Sequence, residues 1–294
     1  MKTKGKNIVG MAIGFSAGLL GWALLELVLS VQHLLPGYRT VLILSGAVTG
    51  AAMCAVLASI EGILHKNISK MKREWIWGLI WGAIGGSVGA FMGQFLFVLI
   101  LPEGFMPDVY RLPYYIARII SWGIMGAFIG TAEGLRARSG IKISAGLISG
   151  ISAGVLGGFL VESGMMLYPR ESWLKLPGFL IIGLGTALLN ILIEEKKSSG
   201  VFRVLNGAQK GRKYLLNQKR ITIGSGKNND IVIQGDTAIP KTAVLIVRKG
   251  KETSVIRQSP NFEMHVNDQS TNEYQLKYED VIAIGKIQFL YEVR

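Results

Sequence analysis

Six apolar stretches, each at least 18 residues long, dominate the first two thirds of this 294-residue chain. They are residues 8–31, 41–64, 76–101, 114–135, 143–168 and 176–193. A hydrocarbon layer about 30 Å thick takes about 20 helical residues to cross. Lipid offers backbone groups no partner, so each stretch has to close its hydrogen bonds internally as a helix. Turn residues fall between them: Pro36-Gly37, then Pro102, Pro107 and Pro113, then Pro169 and Pro177. The first stretch follows Met1-Lys2-Thr3-Lys4-Gly5-Lys6, as a cleaved leader would. A leader's apolar region stops after about 7–15 residues. This one runs past twenty and five more follow, so it is expected to stay as the first span.

The charges say which way the spans run. Lys2, Lys4 and Lys6 precede the first span. Lys66, Lys70, Lys72 and Arg73 lie between the second and third, and Arg136, Arg138 and Lys142 between the fourth and fifth. Lys196 and Lys197 follow the sixth. The intervening connections hold Arg39, or mix their bases with Glu103, Asp108 and Glu171. Basic loops resist translocation, so the expectation is a multi-pass cell-membrane protein with both termini cytoplasmic. The same rule accounts for the net charge of +13. Nucleic acid is not needed to explain it, and no nucleic-acid-binding module is present. Tyr38, Trp75, Trp77, Tyr114, Tyr115, Tyr168 and Trp173 cluster near span ends, as interfacial anchors do. A single cysteine, Cys54, excludes an intramolecular disulfide and reads as a small packing residue.

A repeat runs through the odd-numbered spans. Gly14, Gly18 and Glu26 in the first are matched by Gly82, Gly86 and Gln94 in the third, and by Gly150, Gly154 and Glu162 in the fifth. The step is 68 residues each time. Glu61-Gly62 and Glu133-Gly134 recur near the ends of the second and fourth spans, where other glycines drift. We read three copies of a helical hairpin. Glycines four apart share one helix face and let two backbones approach. Gly85, Gly89, Gly93, Gly157 and Gly158 extend those faces. The reading is a tightly packed bundle with pseudo-threefold relations. Transport is the alternative, because repeats and intramembrane acids mark transporters. Against it, Glu26, Gln94 and Glu162 lie toward one end of their spans and Glu61 and Glu133 toward the other. Acids so placed are expected to reach interfacial water, and no span is broken by an internal proline.

After Ile193 the pattern changes to short runs of period two. The division is a six-helix transmembrane domain over residues 1–195, a linker over 196–200 and a β-domain over 201–294. Strands are expected at 201–205, 213–216, 220–223, 230–233, 242–248, 253–257, 264–266, 274–276, 281–284 and 287–293. Many short strands at close spacing imply an all-β sandwich. The fold class is therefore multi-domain, a polytopic all-α bundle followed by an all-β sandwich.

Ile221-Thr222-Ile223-Gly224, Asn229-Asp230-Ile231-Val232-Ile233, Val266-Asn267-Asp268 and Leu276–Gly285 with Phe289 follow in an order that resembles a forkhead-associated (FHA) domain, over about 95 residues. The resemblance implies recognition of a phosphothreonine peptide by loops at one end of the sandwich, with an arginine pairing the phosphate. This chain has Ser225 where that arginine stands in the family. The family's Ser-Arg-x-His falls on Pro240, Lys241, Thr242 and Ala243, and its Asn-Gly pair on Asn261-Phe262. The framework is kept and the phosphate pocket is largely lost. Ser225, Lys227, Asn228, Lys241, Thr242 and Asn261 would form a weakly basic, polar partner-binding rim. Gly224-Ser225-Gly226-Lys227 lacks both the spacing and the following helix of a phosphate loop. His33, His65 and His265 have no ligand-spaced partners, and no nucleophile–base pair is evident. We expect no metal, no cofactor and no enzyme. We expect a membrane-anchored signalling and interaction module that offers the FHA-like domain to a cytoplasmic protein partner. The alternatives are a small transporter or channel that the β-domain regulates, and assembly with another membrane protein.

Overall fold

The computed structural model describes residues 3–64, 67–100, 111–168, 171–198, 200–207, 209–233, 239–249, 252–260 and 262–293. The expectations placed on Lys2, His65, Lys66, Pro102, Glu103, Pro107, Asp108, Pro169 and Asn261 fall outside them.

Among the described residues seven α-helices cover the first part: α1 (Thr3–Ser30), α2 (Tyr38–Ala58), α3 (Ile60–Leu64), α4 (Ile68–Ile100), α5 (Arg111–Arg136), α6 (Gly140–Leu167) and α7 (Leu176–Lys197). They form six spans long and apolar enough to cross a membrane, with α2 and α3 making one span between them. The chain is a multi-pass membrane protein. The break at Ser59 has a local cause: its hydroxyl donates to the Val56 carbonyl at 2.6 Å, competing with the helical ladder. Pro113 and Pro177 occupy the first turns of α5 and α7, where a missing N–H costs nothing.

The spans form a closed ring. Each packs on its chain neighbours, α7 returns to α1, and the even spans α2, α5 and α7 touch one another across the centre. The 68-residue repeat sets this arrangement. A Cβ on Gly18 would lie 2.5 Å from the Phe179 carbonyl oxygen of α7. On Gly86 it would overlap the Gly46 carbonyl of α2, and on Gly154 the Trp122 carbonyl of α5. So each odd span is sealed to the even span that precedes it around the ring. The same step also relates Gly21, Gly89 and Gly157, which face Met53, Met125 and Ile182 of the even span that follows. The repeated glycines therefore join α2 to α4, α5 to α6 and α7 to α1, across the hairpins read from sequence, while α6 also meets α7 closely through Gly157 and Gly178. The outward surface is apolar. Ile8, Phe15, Leu19, Ile84, Phe91, Leu156 and Phe159 are exposed, as lipid contact requires.

The second part is a two-sheet sandwich. One sheet orders its strands β2 (Lys213–Leu215), β1 (Gly200–Val204), β11 (Ile287–Val293), β10 (Val281–Ile284), β7 (Met264–Val266) and β8 (Gln269–Ser270). The other orders β4 (Ile231–Val232), β3 (Arg220–Gly224), β5 (Val244–Lys249), β6 (Glu252–Arg257) and β9 (Glu273–Gln275). The pairing is antiparallel except between β3 and β4. Phe202, Ile223, Ile246, Met264, Ile282, Ile284 and Phe289 fill the space between the sheets. Two-residue turns fix register. Ile284 pairs with Ile287 across Gly285-Lys286, with Gly285 at φ +59°, a value that suits glycine. Strand β8 is additional to the ten expected from sequence. It is a two-residue return after Asn267-Asp268, both with positive φ.

Candidate functional site

The rim read from the sequence is assembled around Asn229. This buried amide donates to the carbonyls of Gly226, at 3.0 Å, and of Lys241, and its oxygen accepts from the Thr242 hydroxyl at 3.2 Å. It thereby ties the loop after β3 to the segment before β5. Ser225 belongs to the same knot. Its hydroxyl donates inward, to the carbonyls of Ile239 at 2.8 Å and Pro240 at 3.1 Å. Ser225, Lys241 and Thr242 are thus brought together, with the Lys241 side chain exposed. Lys227 and Asn228 turn toward the bundle. The Lys227 carbonyl accepts from Asn67 at 3.3 Å, and Asn228 lines a cleft against α4 and α5. Asn229 appears in the sequence only as part of a strand-start motif, and nothing there marks it as the organiser.

Two helix starts hold the sandwich against the bundle. Asn67 caps α4 by accepting from the Lys70 amide at 3.0 Å while its own amide reaches Lys227. Ser139 caps α6 by accepting from the Lys142 amide at 3.3 Å, and its hydroxyl donates to the Asn217 carbonyl. Asn217 in turn donates to Glu194 at 3.2 Å. Beside these contacts lies a cavity of about 450 Å³, lined by Glu61, Glu133, Lys142 and Glu194 from the bundle and by Arg212 and Tyr214 from the sandwich. Burial holds the Tyr214 phenol above its ordinary pKa, so it remains a donor, here to Gln209 at 3.1 Å.

The charges at this basic end correct the loop reading. Lys70 and Lys142 are buried within helices, not displayed in connections. Lys70 pairs with Glu61 at 2.7 Å, Arg136 with Glu74, and Lys142 with both Glu61 and Glu133. Counting basic residues places them on one side of the membrane. It does not say whether they face water or the acids of a neighbouring helix.

At the opposite end the repeat positions also find partners, and Glu26 and Gln94 stay partly exposed beside them. Glu26 pairs with Lys175 at 2.7 Å. Glu162 pairs with Arg118 at 3.1 Å and accepts from the Trp122 indole at 2.8 Å. Gln94 accepts from the Tyr38 hydroxyl at 3.3 Å. Between these groups a cavity of about 590 Å³ opens, lined by Leu25, Val41, Thr49, Ser121, Met125 and Val161. Met53, Leu57, Ile129 and Ile182 fill the core between this cavity and the basic end.

Residues 203–293 match the family model of the cytoplasmic domain of the inner-membrane component of the type III secretion system (T3SS). Solved structures match the same part of the chain. One, described as a structural and functional analysis of phosphothreonine-dependent FHA domain interactions, is 24% identical and covers 33% of this chain and 98% of its own, with a TM-score of 0.30. The FHA domain of a Chlamydia trachomatis protein is 21% identical over 33% of this chain and 99% of its own, with a TM-score of 0.31. The cytoplasmic domain of the T3SS sorting-platform protein PscD from P. aeruginosa is 15% identical over 32% and 80%, with a TM-score of 0.30. A search of the curated proteins finds no match. The C-terminal part of the chain is an FHA-like sandwich, carried behind six candidate membrane spans.

Proposed function

We propose that the FHA-like domain faces the cytoplasm and docks a protein partner through its rim without requiring phosphate. The inward aim of the Ser225 hydroxyl carries this reading. A phosphate brings nearly two negative charges and needs charge-assisted donors to replace its water. At the position where the resemblance places an arginine, this chain has one neutral hydroxyl, already committed to two carbonyls. Thr242 is likewise committed, to Asn229. What remains outward is the charge of Lys227 and Lys241, both exposed, without the fork of a guanidinium. The match to a membrane-component cytoplasmic domain supports the orientation and the role in protein assembly. The test has two arms, both on the full chain, the first in native membranes and the second after purification. A photo-crosslinker at Lys241 should trap a protein partner in native membranes, and one at Lys277 should not. Titration with a degenerate phosphothreonine peptide library should give no binding that depends on phosphate. Charge-assisted bonds are worth about 1.5–3 kcal/mol each, so losing one or two weakens binding roughly tenfold to a thousandfold or more. Micromolar binding that requires the phosphate, and that disappears in Lys227→Ala or Lys241→Ala, would overturn the reading.

A second reading, a small transporter regulated by the β-domain, draws on the cavities of about 590 Å³ and 450 Å³ at opposite ends of the bundle with an apolar plug between them. It requires an ion flux in liposomes that Glu26→Gln and Glu162→Gln abolish. On the interaction-module reading there is no flux to lose.

A further inference from the structure

A cleft of about 1170 Å³ runs between the basic end of the bundle and the sandwich, and its two walls differ in chemistry. The bundle wall carries Arg73, Ile76, Trp77 and Ile80 of α4 with Arg136 at the end of α5 and Arg138 just after it. The sandwich wall carries Gln218, Lys219, Arg220, Asn228 and Asp230. Positions 73, 76, 77 and 80 are spaced i, i+3, i+4 and i+7, so they share one helix face, with the base at the helix start and the apolar residues a turn and two turns deeper. Ile76 and Ile80 are 55% and 54% exposed, inside a candidate membrane span. They are a surface made for an acyl chain. The Trp77 indole N–H is taken up by the Ala132 carbonyl at 3.1 Å, which leaves its ring as part of that wall.

The polar part of the cleft carries an excess of positive charge. Arg136 is neutralised by Glu74. Asp230 is held by the Thr222 amide at 3.0 Å and hydroxyl at 3.1 Å. Among the described residues no ion pair joins Arg73, Arg138, Lys219 or Arg220, and all four are exposed. Two of these bases come from the bundle and two from the sandwich. They converge where the headgroup layer lies once Ile76 and Ile80 are in hydrocarbon. Basic pockets at this level of a membrane protein suit anionic headgroups, each base adding about 1 kcal/mol of attraction.

We propose that this cleft binds one anionic phospholipid, with its phosphate among Arg73, Arg138, Lys219 and Arg220 and an acyl chain along Ile76, Trp77 and Ile80. Asn228 lies in the same cleft, so the lipid braces the loop that carries Lys227 and fixes the rim relative to the membrane. A soluble phosphate shares the headgroup chemistry and lacks the acyl contact, and the continuous apolar lane favours the lipid.

The test is native mass spectrometry of the full chain released from detergent, after exchange into phosphatidylglycerol or phosphatidylcholine of identical acyl chains. We expect one phosphatidylglycerol to be retained in preference to phosphatidylcholine. Occupancy should fall about fivefold for each base removed in Arg73→Gln and Arg220→Gln, and should be unchanged in Lys277→Gln, which lies outside the cleft. Ile80→Ser should weaken retention with every charge in place. If a variant fails to fold in zwitterionic lipid, Arg138→Gln and Lys219→Gln are read in the same way. Equal retention of the two lipids overturns the proposal. So does undiminished retention in the base variants, or displacement of the lipid by inorganic phosphate.

Discussion

Lys142 is the residue on which the most charge converges. Its ammonium meets Glu61 from the second span and Glu133 from the fourth, and it lies in the first turn of α6 above the Ser139 cap. Removing one partner from a buried ion pair leaves the other charge uncompensated, which costs about 3–5 kcal/mol. Lys142→Met should therefore lower the melting temperature of the purified chain in detergent sharply. Restoring neutrality with Glu133→Gln in the same chain should recover part of the loss, since Glu61 keeps Lys70. If Lys142→Met melts like the parent, the cluster is ornamental. The sequence shows each of these ionisable groups but not their pairing. Lys70, Arg136 and Lys142 look like loop bases because a charge count has no depth, and the acids that meet them come from other helices. The rim residues have the same history. Ser225, Lys241 and Thr242 could be picked out by position in a resemblance, whereas the hydrogen bonds that turn Ser225 inward run to carbonyls of Ile239 and Pro240, which carry no sequence signal.

At the repeated glycines the helices pack through backbone contact, and this makes their geometry intolerant there. Gly86 faces the Gly46 carbonyl so closely that even a Cβ would overlap it, and the atom it meets is backbone that cannot swing aside. Gly18→Leu, Gly86→Leu and Gly154→Leu should each force α1, α4 or α6 away from its partner, with a large drop in thermal stability in detergent. Ala23→Leu, on an exposed face of α1, should leave it nearly unchanged. Equal melting of the three glycine variants and the parent would mean that these faces do not seal the ring. The helices themselves were legible, since apolar length is the strongest signal a membrane chain carries. Their ends were not: α4 begins at Ile68, well before the apolar stretch, because Asn67 caps it and Lys70 and Glu74 face inward to partners. The 68-residue step was legible as a repeat. Which neighbour each glycine face meets was not, because spacing within one helix holds no information about the order of helices around a ring.

On the scale of the whole molecule, the sandwich and the basic ends of the spans lie together, so the direction of the chain through the membrane decides where the sandwich works. Asn67, Ser139 and Glu194 reach it from the starts of α4 and α6 and the end of α7. These are the ends at which Lys72, Arg73, Arg138, Lys196 and Lys197 gather, and positive charge is retained on the cytoplasmic side. The prediction is that both termini are cytoplasmic. It can be read with single cysteines in a Cys54→Ser background, because Cys54 is buried between α2 and α5 with its thiol donating to the Ile129 carbonyl at 3.7 Å and is a poor target in any case. Lys70, although central to the basic cluster, is the wrong reporter: it is buried, and a cysteine there would stay unlabelled in either orientation. Lys72 and Arg138 are exposed beside it, and Leu34 is exposed at the opposite end. In intact cells an impermeant thiol reagent should label Leu34→Cys and spare Lys72→Cys and Arg138→Cys, and permeabilised cells should show all three. Labelling of Lys72→Cys or Arg138→Cys in intact cells would invert the molecule. The rim would then face outward, and no cytoplasmic protein could be its partner.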